Sequence, residues 1–220
     1  GTSMRVGLLR RWLANEIAYQ QTTGFLPVLF EIEIDTEIDV PVGDVMQKMK
    51  VKTRIDRVDV AMVDSVLEFV VNDYKANLPG TATRPLIKAG KATQMPMYLA
   101  AVAAFFREKE IDARPAAAVY RMFGTALRSP EQSLYQVMLA DESFPIPIRR
   151  SKKDPPPLPL AEQVEVIIQR ISPAFIDLRS GAYPVRPSKE ACTYCSYTAL
   201  CRREHWGVIE QPIDQENAEQ

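Results

Sequence analysis

Residues 5–21 (RVGLLRRWLANEIAYQQ) place Leu8, Leu9, Trp12, Leu13, Ile17 and Tyr19 at helical spacing, which predicts an amphipathic helix ended by Gly24. The period then changes. FLPVLFEIEIDTEIDV alternates apolar and charged positions through Phe30, Ile32, Ile34, Ile38 and Val40, the pattern of a half-buried strand. Pro41, Gly43 and Asp44 predict a turn, and VMQKMKVKTRIDRVDVAMVD alternates again. Met49, Val51, Thr53 and Ile55 fall on one side, with Lys48, Lys50, Lys52, Arg54 and Asp56 on the other. VLEFVVNDYK, residues 66–75, predicts a third strand reached through a hairpin at Asp64-Ser65, so the three should form an antiparallel meander.

After a polar loop containing Lys88, Gly90 and Lys91, residues 92–108 are rich in alanine and apolar on most faces, which predicts a largely buried helix. Pro96 falls in its first turns, where proline costs least. PAAAVYRMFG (115–124) predicts a fourth strand and SLYQVMLA a candidate fifth. SKKDPPPLPL reads as a stiff connector, LAEQVEVIIQRISPAFIDLRSG as a helix, and AYPVRPSKEACTYCSYTALCRREHW as a compact tail. This order indicates an α/β or α+β core with helices packed on a central sheet. The expected division is a core over 4–185 and a cysteine-containing tail over 186–220 packing on it.

Composition narrows the function classes. At 220 residues, 46% hydrophobic and 25% charged, the chain can build one sizeable core with at most a small appendage. Its 27 Lys and Arg against 28 Asp and Glu give a net charge of -1, so a nucleic-acid site would have to be a local basic patch. No stretch approaches the roughly 18–20 apolar residues of a membrane span, and GTSMRVGLL lacks a signal-peptide pattern, so a soluble, cytoplasmic protein is expected. The GTS before Met4 resembles a cloning remnant, and the chain is expected to come from a longer protein. The single histidine, His205, leaves little room for histidine-based chemistry.

The candidate chemistry lies in FVVNDYKANLPG. Residues two apart in a strand share a face, so Asp73 and Lys75 project together and Tyr74 points the other way. A hairpin at Asp64-Ser65 brings Asp56, in RIDRVD, opposite Asp73 to within a position or two. Two carboxylates on one face repel unless a divalent cation sits between them, and Mg²⁺ needs only a few carboxylate oxygens besides water. Lys75 could then help deprotonate a nucleophilic water and stabilise charge on a phosphate under attack. On the next helix Gln94 and Tyr98, four apart, share one face, and a polar pair on a buried helix needs partners. Against this stand plain alternatives: a solvated strand end for Asp73 and Lys75, a surface charge for Asp56, and an exposed helix edge for Gln94 and Tyr98.

The ordered set RIDRVD, VVNDYKANLPG and QMPMYLAA resembles the nuclease domains of RecB and AddB, within the PD-(D/E)XK superfamily, over about residues 27–105. The resemblance implies a restriction-endonuclease-like α/β core, a central mixed sheet flanked by helices. It implies a Mg²⁺- or Mn²⁺-dependent deoxyribonuclease in DNA double-strand break repair and recombination, an exonuclease ahead of an endonuclease. Asp56 and Asp73 would bind the metal, Lys75 would be the catalytic lysine, and Gln94 and Tyr98 the motif on the succeeding helix. Glu31, in LPVLFE, resembles a further glutamate of these proteins near the metal. DNA would be held by Lys48, Lys50, Lys52, Arg54, Arg84, Lys88 and Lys91, although the same residues also suit a solvated strand face. The alternative is a catalytically silent copy of the fold that binds DNA ends or scaffolds a helicase.

All three cysteines, Cys192, Cys195 and Cys201, lie in the tail. A closed structural site needs four ligands. In AddB-like nucleases a C-x2-C-x5-C pattern joins one upstream cysteine around a [4Fe-4S] cluster, so the resemblance implies such a cluster in the parent protein. The fourth cysteine, and a histidine these domains carry before the first strand, would lie N-terminal to Met4, with a helicase portion or subunit as partner. Zn²⁺ with His205 as fourth ligand, or no ligand at all, remain open.

Overall fold

Five strands form one mixed sheet in the order β1-β2-β3-β4-β5. In this computed structural model the described residues are 2–77, 84–123, 134–146, 148, 158–182 and 196. The elements are α1 (Thr2–Thr23), β1 (Leu26–Val42), β2 (Val45–Val63), β3 (Val66–Lys75), α2 (Arg84–Lys88), α3 (Gln94–Glu108), β4 (Ala113–Met122), β5 (Tyr135–Ala140) and α4 (Leu160–Arg179). The predicted meander is present, β1 to β2 to β3, all antiparallel. Both turns are two residues long. Asp64 and Ser65 have φ of 48° and 67°, the paired positive values that match the twist of a tight hairpin.

β4 pairs parallel with β3, so the chain must cross over one face of the sheet between them, and α2 and α3 do so. Both faces of β3 are covered, which is why it reads as an apolar run. Phe69 meets Phe106 of α3 at 5.5 Å between ring centroids. Its neighbour Val70 joins the opposite cluster, with Tyr19 of α1, Phe25, Val119 and Val137. The short helix α2 interrupts what the sequence predicts as polar loop. Gly90, just after it, has φ of +71°, and a Cβ there would lie 3.1 Å from Cβ of Arg170 in α4, so this position requires glycine.

Two predicted apolar faces need correction. On α1, Leu9, Leu13 and Ile17 are 60, 46 and 55% exposed, and the inward stripe is Trp12, Glu16, Tyr19 and Thr23. A glutamate and a threonine on the inward side defeat a reading based on apolar spacing alone. On β1, Ile34, Ile38 and Val40 are buried as expected, but Phe30 is 59% exposed. Glu31 beside it has φ of 49°, outside strand geometry, so the alternation does not carry through to Phe30.

α4 contains Pro173, and the chain divides there into two compact units, 1–173 and 174–220. Within the first unit, Asp141 accepts hydrogen bonds from the N–H of Leu160 at 3.1 Å and from the N–H and hydroxyl of Ser143 at 3.3 and 3.0 Å. Partial burial raises its pKa, but these bonds and Arg114 outweigh that and hold it below the ordinary value. A lowered carboxyl pKa stabilises the fold above its unfolded value and loses that contribution as pH falls through the folded value. Asp141→Asn is therefore expected to cost about 1 kcal/mol at neutral pH, and the gap from the parent in urea unfolding should close in acid below about pH 4.

Candidate functional site

The β2–β3 ladder runs from Val63↔Val66 to Arg57↔Asn72, and one step further sets Asp56 against Asp73. There the backbone N–H of Tyr74 donates to Oδ2 of Asp56 at 2.7 Å. Asp73, only 3% exposed, pairs in the sheet with Tyr120 of β4. Its Oδ1 accepts from Nε2 of Gln94 at 2.8 Å, and the same amide group donates to the Tyr98 hydroxyl at 2.9 Å. Nζ of Lys75 lies 2.6 Å from Oδ2 of Asp73 and 5.7 Å from the centre of the Tyr120 ring. The strand period puts Asp73 and Lys75 on one face, and the helical period puts Gln94 and Tyr98 on the face of α3 turned towards them.

Burial pushes the Asp73 carboxyl above the usual aspartate value, and the charge of Asp56 adds to that, while Lys75 and Gln94 pull it down without cancelling the rise. Tyr120 is pushed up to about 12 by burial and by the charge of Asp73. Such a carboxyl is better satisfied by a cation than by solvent it cannot reach. Buried Oδ2 of Asp73 has the Lys75 ion pair but no hydrogen bond of regular geometry. A second carboxylate faces it from β2. Among the described residues no three His, Cys, Asp or Glu come together as a metal cage. The donor set therefore suits a hard ion that takes one or two carboxylates and fills its remaining positions with water or phosphate oxygens, as Mg²⁺ does.

Glu31 is not brought into this group. It lies beside Asp56 along the sheet, between the pairs Phe30↔Arg57 and Ile32↔Ile55, but its exposed side chain is ion-paired with Arg54 at 2.8 Å. The cations of β2 are similarly engaged. Lys48 pairs with Asp39 at 2.6 Å and Lys50 with Asp35 at 3.3 Å, and the register sets Arg54, Lys52, Lys50 and Lys48 opposite Glu33, Asp35, Glu37 and Asp39. This is a row of compensated charge rather than an open basic track. Arg84 on α2 donates from Nε to the Val137 carbonyl at 3.2 Å, and exposed Lys88 and Lys91 stand just before α3. Cys192, Cys195, Cys201 and His205 lie outside the described residues.

Directly behind the site, on the face covered by α1, is a buried charge cluster that periodicity does not reveal. Arg57 donates from Nε and Nη2 to Asp59 at 2.5 and 2.9 Å, from Nη2 to Glu16 at 2.5 Å, and from Nη1 to the Tyr74 hydroxyl at 3.3 Å. Arg121 of β4 donates to Glu16 at 2.7 Å, to Asn72 at 2.8 Å and to Asp59 at 3.4 Å, and its guanidinium lies 4.0 Å from the Tyr19 ring centre. Two arginines and two carboxylates balance. Burial opposes charge throughout the cluster: pairing wins at Arg57, whose pKa is raised, and at Glu16, whose pKa is lowered, whereas at Asp59 burial outweighs the pull of the two arginines and raises the pKa. The one sequence signal is that Arg57 and Asp59 share a face in RIDRVD while Arg121 interrupts an apolar strand.

No described helix is long and apolar enough to cross a membrane. No curated protein matches the chain. The PD-(D/E)XK nuclease superfamily matches it over residues 3–202, a span that contains the mixed sheet, the acid pair, Lys75 and the helix bearing Gln94. The chain belongs to the PD-(D/E)XK nuclease superfamily.

Proposed function

We propose that this nuclease is a Mg²⁺- or Mn²⁺-dependent deoxyribonuclease of the RecB/AddB type, an exonuclease serving double-strand break repair and recombination. The observation that carries the reading is the buried Asp73 carboxylate, with Lys75 at 2.6 Å and Asp56 across from it on the neighbouring strand. Asp56 and Asp73 would hold the ion. When bound it supplies charge neutralisation at the phosphate and a water of lowered pKa. Lys75 contributes a fixed positive charge beside the scissile phosphate and a group that can hold or pass a proton at Nζ. Gln94 fixes the orientation of Asp73 through Oδ1, and Tyr98 fixes Gln94.

Lys88 and Lys91, exposed and just ahead of Gln94, are better placed to meet a phosphate backbone than the compensated cations of β2. A [4Fe-4S] cluster on Cys192, Cys195 and Cys201, and a helicase-bearing partner, belong to the same reading and rest on sequence resemblance alone. Incubation with linear and circular DNA in Mn²⁺ tests it. The wild-type chain is expected to degrade the linear substrate, and Asp73→Ala should lose at least about a hundredfold in rate. Survival of the circle supports an exonuclease. Absence of metal-dependent cleavage, or full activity in Asp73→Ala, sinks the proposal.

A further inference from the structure

We infer that Arg57, locked in the cluster behind the sheet, is a positioning residue that sets the spacing of the acid pair through Tyr74. The inference deepens the nuclease reading and rests on it for the role of Asp56 and Asp73. Regular pairing of β2 with β3 ends at Arg57↔Asn72, one residue short of both carboxylates. Past that point two contacts hold the strands in register, and both fall on Tyr74. On the front face its N–H donates to Asp56 at 2.7 Å, and on the back face its hydroxyl accepts from Arg57 at 3.3 Å. Consecutive residues of β2 thus grip the backbone and the side chain of the one residue between Asp73 and Lys75.

The grip on the side chain is only as good as the placement of Arg57. Its guanidinium is forked onto Asp59, tied to Glu16 of α1, and surrounded by protein. Glu16 is held from its other oxygen by Arg121, which also bonds Asn72, the residue preceding Asp73. The residues on either side of Asp73 are therefore both anchored from behind by charged groups that solvent does not reach. A planar fork with five donors can satisfy Asp59, Glu16 and Tyr74 together, which a lysine ammonium in the same place cannot. Docking α1 to the sheet would require the ion pairs to Glu16 but not the contact with Tyr74, so that contact distinguishes positioning from simple support.

The test uses Tyr74→Phe, which removes only a hydroxyl, and Arg57→Lys, which keeps the charge. Site-resolved amide exchange is compared at residue 74 and at residues 70 and 71, and Mn²⁺ binding is titrated by calorimetry. Both variants are expected to exchange the residue 74 amide about tenfold faster without matching acceleration at 70 and 71, and to bind Mn²⁺ about tenfold more weakly. The thermal midpoint of Tyr74→Phe should stay within about 4 °C of wild type. Unchanged exchange at residue 74 in Tyr74→Phe, or equal acceleration along the whole strand, overturns the inference. Wild-type protein that fails to bind Mn²⁺ would instead overturn the metal reading of Asp56 and Asp73, and the amide exchange would still decide whether Arg57 positions Tyr74.

Discussion

Asp59→Ala is expected to destabilise the fold by about 3–5 kcal/mol. Asp59 is fully buried and accepts from both Arg57 and Arg121. Without it, two guanidinium groups share the single carboxylate of Glu16, and a net positive charge is left inside the protein. The cost is that of an uncompensated buried ion, not the loss of one favourable contact. For a chain of this size the thermal midpoint should fall by on the order of 10 °C, measurable by calorimetry or circular dichroism. Replacing Glu16, Arg57, Asp59 and Arg121 together by apolar residues of similar volume should cost far less than removing Asp59 alone, because no charge is then stranded. A small effect for Asp59→Ala would mean that water reaches the cluster.

Lys75→Ala should leave the fold intact and reduce the cleavage rate by about a hundred- to a thousandfold, the usual loss when one preorganised charge is removed from a transition state. The side chain is partly exposed and rests on the Tyr120 ring, so little packing is lost. The pH dependence should move as well. Burial and Asp56 raise the Asp73 pKa and Lys75 lowers it, so removing Lys75 lets that pKa climb further. The ionised carboxylate then appears only at higher pH, and the acid limb of the rate profile should shift upward. Lys75→Arg tests whether charge alone suffices. Arginine keeps the charge but cannot release its proton near neutral pH, so recovery of the rate by arginine would assign Lys75 to electrostatic stabilisation rather than proton transfer.

The front of the site was legible in the sequence because it is built from short-range periods. Asp73 and Lys75 are two apart on a strand, Gln94 and Tyr98 are four apart on a helix, and a two-residue hairpin fixes the register of Asp56. The back of the site was not legible. Glu16, Arg57 and Arg121 come from three separate elements, and no local spacing relates a glutamate on α1 to an arginine on β4. A strand period does not tell whether a charge faces water or a buried partner, so RIDRVD by itself does not reveal that Arg57 and Asp59 are paired inside the protein. The cations from Lys48 to Arg54 posed the converse problem. Their alternation was plain, but the acids opposite them in β1 became partners only when the register was known.

That register also bears on how molecules of this protein meet. β1 spans 17 residues at one edge of the sheet, an unusually long row of backbone donors and acceptors onto which another extended chain could add. From Glu33 to Asp39 its outward side chains, Glu33, Asp35, Glu37 and Asp39, are all acidic, with the compensating cations one strand further in. A second copy approaching edge to edge would bring carboxylate against carboxylate before any ladder could form. The hairpin can therefore run on well past Asp56 without the 33–39 stretch of its outer rim becoming a seed for self-association.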